Sequence, residues 1–176
     1  YPGITLSINP KGSIKVYGET RNDRMKKVTT DPQSNLLIFS SRGMVYKLPA
    51  YVLQNQEGKE LTLASLVDGF EEGKERILNY ISVKSFGTKL AVYFFSASGM
   101  IKKTLLSEFE GDYSGTLAYK LKSDEDYLVN VDFGLSEKDT AIIVTKRAMA
   151  IKFETSGVNP MGRIASGVTG ISLKED

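Results

Sequence analysis

The residues of this chain with the clearest chemical potential are lysines and arginines that recur in four segments of similar pattern. The segments are residues 4–17, 36–48, 90–104 and 141–153. None of them contains Asp or Glu, although the chain has 21 acidic residues and a net charge of only +2. Their basic residues are Lys11, Lys15, Arg42, Lys47, Lys102, Lys103, Lys146, Arg147 and Lys152. A row of cations without carboxylates is the chemistry that neutralises a polyanion such as a nucleic acid.

A second explanation of the same lysines is structural. Charged side chains on solvent-facing strands prevent the edges of neighbouring sheets from pairing with one another. The charge distribution alone leaves both explanations open.

Other kinds of chemistry have weaker support in the sequence. There is no cysteine and no histidine, so disulfides, thiolate metal sites and the commonest general base are all absent. The acids at 124–126 are adjacent on one predicted turn and point apart, so we expect a solvated turn rather than a carboxylate site. Residues 162–169 approach a phosphate-binding loop, but Val168 stands where that loop requires lysine. No apolar run approaches the roughly 20 residues of a membrane-spanning helix.

Each basic segment is predicted to be a β-hairpin. An apolar residue lies four positions before the turn Gly or Ala, and a polar residue that favours turns follows it. We expect Gly99 to supply the positive φ of a tight turn. Lys47, Lys103 and Lys152 share one position, four residues after the turn residue. The aromatic residues of these strands are predicted to lie in the core: Tyr46, Tyr93, Phe94, Phe95 and Phe153.

A second unit with an acidic turn also recurs. Residues 61–67 and 77–83 are predicted strands joined by the acidic turn 68–73, and residues 116–133 contain its second copy. One repeat would then be two hairpins, or four strands. The turn residues Gly12, Gly43, Gly99 and Ala148 are separated by 31, 56 and 49 residues. A spacing near 50 with four strands per repeat is typical of propeller blades.

The predicted fold is therefore an all-β single domain over residues 1–176. Its repeats run approximately over residues 4–50, 51–105, 106–155 and 156–176, the last of them incomplete. This amounts to a partial ring of about three to four blades. Because the sequence begins without methionine and ends inside a third acidic unit, we expect it to be a fragment of a longer chain.

Four stretches carry a resemblance to a known family. Residues 100–109, 115–131, 141–153 and, most specifically, VNPMGRIASGVTGISLKED at 158–176 resemble the C-terminal domain of bacterial type II topoisomerase A subunits. These are the A subunits of DNA gyrase and topoisomerase IV. The resemblance implies a β-pinwheel, a propeller variant whose blades exchange strands and whose basic outer rim bends DNA.

The resemblance also implies a function and a set of site residues. The domain would be non-catalytic, because the family's DNA-cleaving tyrosine belongs to another domain. The expected partners are double-stranded DNA and the dimer of the parent A subunit, together with an ATPase B subunit, in the cytoplasm and without a membrane. ATP and Mg²⁺ would serve the parent enzyme, with no cofactor in this domain. The expected DNA contacts are Lys15, Arg42, Lys47, Lys102, Lys103, Lys146, Arg147, Lys152 and Arg163.

Alternatives remain for the role of Arg163 and for the function of the whole chain. Arg163 either contacts a phosphate or fixes a glycine-rich crossover. The competing function is that of a propeller that binds another protein. Its basic residues would then serve only to keep its surface hydrated. An enzyme with a site at the centre of a propeller is disfavoured by the missing His, Cys and convergent acids.

The sequence favours topoisomerase IV over gyrase. Gyrase A subunits that resemble this chain carry a box of the form QRRGGRG shortly after the first basic hairpin. Residues 18–25 read GETRNDRM, which contains Arg21 and Arg24 but lacks the paired arginines and the adjacent glycines. The PMGR at 160–163 is more gyrase-like, so a gyrase A subunit is the alternative.

Overall fold

The computed structural model describes residues 3–18, 26–135, 140–144, 150–154 and 168–169, with side chains as far as residue 134. Strands dominate these residues, and the helical elements are single turns. The strands are β1 (Ile4–Ile8), β2 (Ser13–Tyr17), β3 (Val28–Thr30), β4 (Asn35–Ser40), β5 (Met44–Pro49), β6 (Glu60–Thr62), β7 (Ile77–Val83), β8 (Leu90–Ser96), β9 (Met100–Leu105), β10 (Gly115–Leu117), β11 (Leu128–Leu135), β12 (Thr140–Val144), β13 (Ala150–Glu154) and β14 (Val168–Thr169). The helical turns are α1 (Leu63–Leu66) and the 3₁₀ segments Ala50–Leu53 and Leu106–Phe109.

All four predicted basic hairpins are present. The pairs β1–β2, β4–β5, β8–β9 and β12–β13 are antiparallel and lie where the repeat places them. In the three hairpins whose turns are described, Gly12, Gly43 and Gly99 have φ of +93°, +79° and +86°. The positive φ predicted for Gly99 is confirmed.

The hairpins form the centres of separate sheets. The strand orders are β3-β1-β2-β6, β10-β5-β4-β7 and β11-β8-β9-β14, and the described part of a further sheet is the β12–β13 pair. The strand beside the second arm of each central hairpin arrives only after the following hairpin: β6 follows β4–β5, β10 follows β8–β9, and β14 follows β12–β13. The four-stranded antiparallel sheets and their exchanged strands confirm the predicted propeller-like all-β fold.

The predicted acidic-turn hairpins are wrong. The two arms of the first belong to different sheets, since β6 pairs with β2 and β7 pairs with β4. The first arm is also shorter than predicted, because residues 63–66 form α1. The acidic stretch therefore connects two sheets instead of closing a hairpin. Hydrophobic alternation predicts a strand but does not specify its partner.

The chain divides into two compact units. The first contains residues 1–40, 45–84 and 112–116, and the second contains residues 41–44, 85–111 and 117–176. In the first unit Leu6, Ile14, Leu36 and Tyr46 are fully buried.

In the second unit both faces of β8 are covered. Tyr93 and Phe95 join one apolar cluster with Ala91 and Ile101. Phe94, on the opposite face, packs against Phe109 and Tyr119 with ring centroids 6.4 and 5.9 Å away.

The burial predicted for Tyr46, Tyr93, Phe94 and Phe95 is confirmed. The side chain of Phe153 lies outside the described residues. No helix in the described part of the chain is long and apolar enough to cross a membrane.

Candidate nucleic-acid interface

The turns of the basic hairpins are held by their own polar side chains. Asn9 Oδ1 accepts hydrogen bonds from the backbone N–H groups of Lys11 at 3.0 Å and Ser13 at 2.9 Å. Ser96 Oγ accepts one from the N–H of Met100 at 3.0 Å. Such side-chain bonds fix a turn locally. Lys11 is exposed on the first of these turns, whose backbone Asn9 fixes. Arg42 is exposed on the turn of the second hairpin.

The incoming exchanged segment fastens the same turns. The N–H of Leu63 donates a hydrogen bond to the carbonyl oxygen of Gly12 at 2.8 Å. The N–H of Ala118 donates one to the carbonyl oxygen of Gly43 at 2.7 Å. A Cβ on Gly43 would lie 2.2 Å from the carbonyl oxygen of Tyr119. Glycine is thus required there for close backbone approach as well as for its φ.

In the first sheet two lysines share one tyrosine ring. The Nζ of Lys15 lies 5.3 Å from the ring centroid of Tyr17, and that of Lys27 lies 5.0 Å from it. The Tyr17 ring is buried, and its hydroxyl shares a hydrogen bond of 2.8 Å with Ser7 Oγ. Lys15 is exposed and pairs in register with the exposed Glu60 of β6. The sequence-based site did not include Lys27, because its proximity to Tyr17 depends on β3 pairing with β1.

Lys26, the neighbour of Lys27, is tied into the first unit. Its Nζ donates to Asn79 Oδ1 and to the carbonyl of Tyr80, the latter at 2.9 Å. The hydroxyl of Tyr80 in turn donates to the carbonyl of Lys26 at 2.5 Å. Burial raises the pKa of Tyr80. Lys26 therefore fastens the segment before β3 to β7.

In the second sheet Lys47 is half-buried beside Tyr113. Its Nζ lies 5.2 Å from the centroid of the Tyr113 ring, and its backbone N–H donates to the carbonyl of Ser114 at 2.9 Å. Lys47 is opposite Leu37 in the hairpin register. It is thus held both by the backbone of the exchanged segment and by an aromatic ring.

The residue before Lys47 anchors an acidic side chain in the core. The hydroxyl of Tyr46 donates to Glu75 Oε1 at 2.7 Å, and Glu75 Oε2 accepts from the N–H of Glu71 at 2.8 Å. Tyr46 also packs edge-on against Phe70, with the ring centroids 5.6 Å apart. Burial, together with the hydrogen bond and charge of Glu75, raises the pKa of Tyr46 well above its usual value.

In the third sheet the structure corrects the predicted exposure of Lys102 and Lys103. Lys102 is 0% exposed, and its Nζ donates to the carbonyl of Ala118 at 2.6 Å. Lys103 is 3% exposed, with its Nζ 5.9 Å from the ring centroid of Tyr93. These adjacent residues of β9 lie on opposite faces of a sheet that is covered on both faces. Their predicted place on a solvent-facing rim is wrong.

The remaining predicted contacts fall in the last part of the chain. Lys152 pairs with Ile142 in the same hairpin register as Lys47 with Leu37, and its side chain lies outside the described residues. Lys146, Arg147 and Arg163 also lie outside the described residues.

The acidic residues of the turn at 123–126 lie at least partly in solvent. Asp124 and Glu125 are exposed, and Asp126 Oδ2 accepts a hydrogen bond of 3.0 Å from Ser98 Oγ. No group of three or more Asp or Glu residues in the described part of the chain could hold a metal ion.

Known proteins match both the sequence and the fold. The family described as DNA gyrase C-terminal domain, beta-propeller, matches residues 34–56, 91–133 and 139–176. The A subunit of DNA gyrase from Clostridium acetobutylicum is 36% identical over 80% of this chain and 17% of its own length. The A subunit of DNA gyrase from Escherichia coli is 32% identical over 94% of this chain and 18% of its own length. The chain therefore spans less than a fifth of these curated relatives.

Two solved structures share the fold. The C-terminal domain of DNA topoisomerase IV superposes with a TM-score of 0.83 and 22% identity, covering 99% of this chain and 58% of that one. The DNA gyrase A C-terminal domain superposes with a TM-score of 0.70 and 21% identity, covering 99% and 62%. The family match covers more than half of the sequence. The sheets built on basic hairpins, with strands exchanged between them, are consistent with that match. The chain belongs to the family of DNA gyrase C-terminal beta-propeller domains.

Proposed function

We propose that this chain is a non-catalytic module that binds double-stranded DNA and bends it along its basic hairpins. The observation that supports this most is the position of the hairpin cations in the first two sheets. Lys11, Lys15 and Arg42 are exposed on turns and strands whose backbone is fixed by side-chain and crossover hydrogen bonds. Cations held on an ordered backbone neutralise phosphates, and a duplex that follows several of them is bent.

The surroundings of the hairpin lysines favour the phosphate backbone over the bases. Tyr17 is buried, and Tyr113 is half-buried beside Lys47, so neither ring is free for a base to stack on. Lysines that contact phosphates position DNA but carry no sequence information. Binding should therefore depend strongly on salt and weakly on sequence.

The test is a titration of duplex DNA by fluorescence anisotropy over a series of salt concentrations. If roughly four to six phosphates are neutralised, the logarithm of the affinity should fall with the logarithm of salt with a slope near −4 to −5. Absence of binding at low salt would reject the proposal in favour of a protein-binding propeller.

We propose the parent assembly from the names of the relatives. These relatives are named as A subunits of DNA gyrase, so the chain would act in the cytoplasm within an A-subunit dimer that works with an ATPase B subunit. ATP and Mg²⁺ would be used elsewhere in that assembly. Co-purification of the intact A subunit with its ATPase subunit tests this assignment.

Within the family we propose a topoisomerase IV type of activity, the alternative being a gyrase A subunit. The support is the sequence GETRNDRM at residues 18–25, in place of a box rich in glycine and arginine. The relatives named for gyrase are the argument for the alternative. A topology assay of the full-length enzyme with its ATPase subunit decides between them. ATP-dependent negative supercoiling of relaxed plasmid would establish gyrase, whereas relaxation and decatenation alone would support topoisomerase IV.

A further inference from the structure

A lysine of the basic hairpin lies over a tyrosine ring in each of the three four-stranded sheets. The distances from Nζ to the ring centroid are 5.3 Å for Lys15 on Tyr17, 5.2 Å for Lys47 on Tyr113 and 5.9 Å for Lys103 on Tyr93. All are within the range of a cation–π interaction.

The sequence repeat does not explain this pairing. Tyr17 lies two residues after Lys15 on the same strand, Tyr113 precedes the exchanged strand β10, and Tyr93 is the cross-strand partner of Lys103. Three unrelated positions thus bring a tyrosine ring to the hairpin lysine. The shared feature is the ring beneath the ammonium group.

A ring holds a lysine in a different way from a carboxylate. Lys84 lies 3.8 Å from Asp31 Oδ2, so an acidic group offsets its charge. Lys15 forms no ion pair within 4.0 Å among the described side chains. Its ammonium group lies instead over the ring of the buried Tyr17. A ring attracts the ammonium group while leaving its full charge available to an anion.

We propose that Tyr17 and Tyr113 are positioning residues for the DNA phosphate backbone. Tyr17 holds Lys15 and Lys27, and Tyr113 holds Lys47, so that these ammonium groups meet phosphates with little side-chain freedom left to lose. Lysine loses considerable rotamer entropy when it is immobilised, and preorganisation reduces that cost of binding. This inference rests on the proposed DNA-binding function.

The Tyr17 site presents a pair of cations. Their distances to one centroid place the two ammonium groups no more than about 10 Å apart. Phosphates of one DNA strand follow one another at about 3.4 Å along the helix axis, so both lysines can engage nearby phosphates of a single strand. The ring offsets part of the repulsion between the two lysines before DNA arrives.

Tyr113 allows the cleaner test, because it is only half-buried. Tyr113→Leu removes the ring, Tyr113→Phe keeps it, and Lys47→Gln removes the charge. Affinity for a short duplex of mixed sequence is measured with the intact protein over a salt series. We expect Tyr113→Leu to bind about 2- to 5-fold more weakly with an unchanged salt slope, because every charge is retained. We expect Tyr113→Phe to match the wild type, and Lys47→Gln to make the slope less steep by about 0.9.

The outcomes separate this inference from the function on which it rests. If the wild type binds no DNA, the proposed function fails. If the wild type binds and Tyr113→Leu binds equally well, or loses salt slope as Lys47→Gln does, the positioning role is overturned. Circular dichroism confirms that each variant is folded.

A second measurement tests the Tyr17 site without a leucine variant, because replacing this buried tyrosine with leucine could unfold the protein. In NMR spectra of the free protein, ring currents should shift the ε-methylene protons of Lys15 and Lys27 upfield in both the wild type and Tyr17→Phe. Absence of that shift in the folded wild type would overturn the inference for this site.

Discussion

Lys15 and Lys102 occupy the same place in the repeat and have opposite environments. Each lies three residues after its turn glycine, and each pairs with the residue five before that glycine, Ser7 or Phe94. Lys15 is exposed, whereas the ammonium group of Lys102 is buried against a backbone carbonyl. An equivalent position in a repeat therefore does not imply an equivalent role.

This contrast predicts different results for the same substitution. Lys102→Glu should lower the free energy of unfolding by about 3–5 kcal/mol, because it buries an unpaired carboxylate facing the carbonyl of Ala118. Lys15→Glu should change it by no more than about 0.5 kcal/mol and should weaken DNA binding. Urea unfolding and anisotropy titrations measure the two effects. A stable Lys102→Glu protein with weakened DNA binding would show that Lys102 is on the surface.

The buried hydroxyl of Tyr46 predicts a dependence of stability on alkaline pH. Near neutral pH, Tyr46→Phe should lower the free energy of unfolding by about 1–3 kcal/mol, because Glu75 loses a buried hydrogen-bond donor. The pKa of Tyr46 is raised in the folded state above its ordinary value of 10.0. Its stabilisation is therefore complete below about pH 10 and is lost as the pH rises further, since only the unfolded state releases the proton readily.

The difference in the free energy of unfolding between the wild type and Tyr46→Phe should therefore become smaller above pH 10. Chemical unfolding at several pH values measures it. Tyr127→Phe is the matched control, because Tyr127 is 40% exposed and should behave like the wild type. A difference that stays constant to high pH would contradict the role of this hydroxyl.

At the scale of elements, each described hairpin turn of the first two sheets is completed by a segment from further along the chain. Gly43 shows how tight that contact is, since a Cβ there would lie 2.2 Å from a backbone oxygen. At Gly58, with a similar φ of +78°, a Cβ would meet nothing within 4 Å. Comparing substitutions at Gly43 and Gly58 therefore separates two losses of stability. One comes from the left-handed backbone conformation, and the other comes from the clash of a Cβ with neighbouring backbone.

We expect Gly43→Ala to lower the free energy of unfolding by about 2–5 kcal/mol, from the left-handed conformation and the displaced crossover together. Gly58→Ala should cost about 1–2 kcal/mol, from conformation alone. Thermal or urea unfolding of the two variants measures the difference. Equal losses would mean that the crossover adjusts freely around the turn.

The hairpins were predictable from the sequence, and their flanking strands were not. The first hairpin spans residues 4–17 as predicted, because turn chemistry and alternation are local signals. The partners of β6 and β7 depend on contacts between distant segments, which no local pattern encodes. The consecutive lysines of β9 must face opposite sides of their sheet, but the sequence does not show that both sides are covered.

For the whole molecule, the placement of charge matters more than its sum, which is only +2. The basic segments 4–17, 36–48, 90–104 and 141–153 contain no acid, and all 21 acidic residues lie outside them. A chain with its charge arranged in this way can bind a polyanion through its hairpins while remaining nearly neutral overall.

Two triple variants of equal charge test this placement. Replacing Lys15, Arg42 and Lys47 with glutamine should make the salt slope of DNA binding less steep by about 2.7, or about 0.9 for each phosphate that is no longer neutralised. Replacing the exposed lysines Lys59, Lys74 and Lys122, which lie outside the hairpins, should leave the slope unchanged. Equal effects of the two variants would show that net charge alone drives binding.

The exchange of strands also sets an order on biosynthesis. As the chain leaves the ribosome, β2 has no partner on its outer side until β6 emerges, and by then the β4–β5 hairpin has already been made. The edge of β5 then waits for β10, and the edge of β9 waits for β14. Each hairpin is therefore made before the preceding one is closed, so the outer edges of two hairpins are open at the same time. Open edges are where chains pair wrongly with one another. Slow translation between a hairpin and its closing strand would prolong that exposure and favour swapped assemblies.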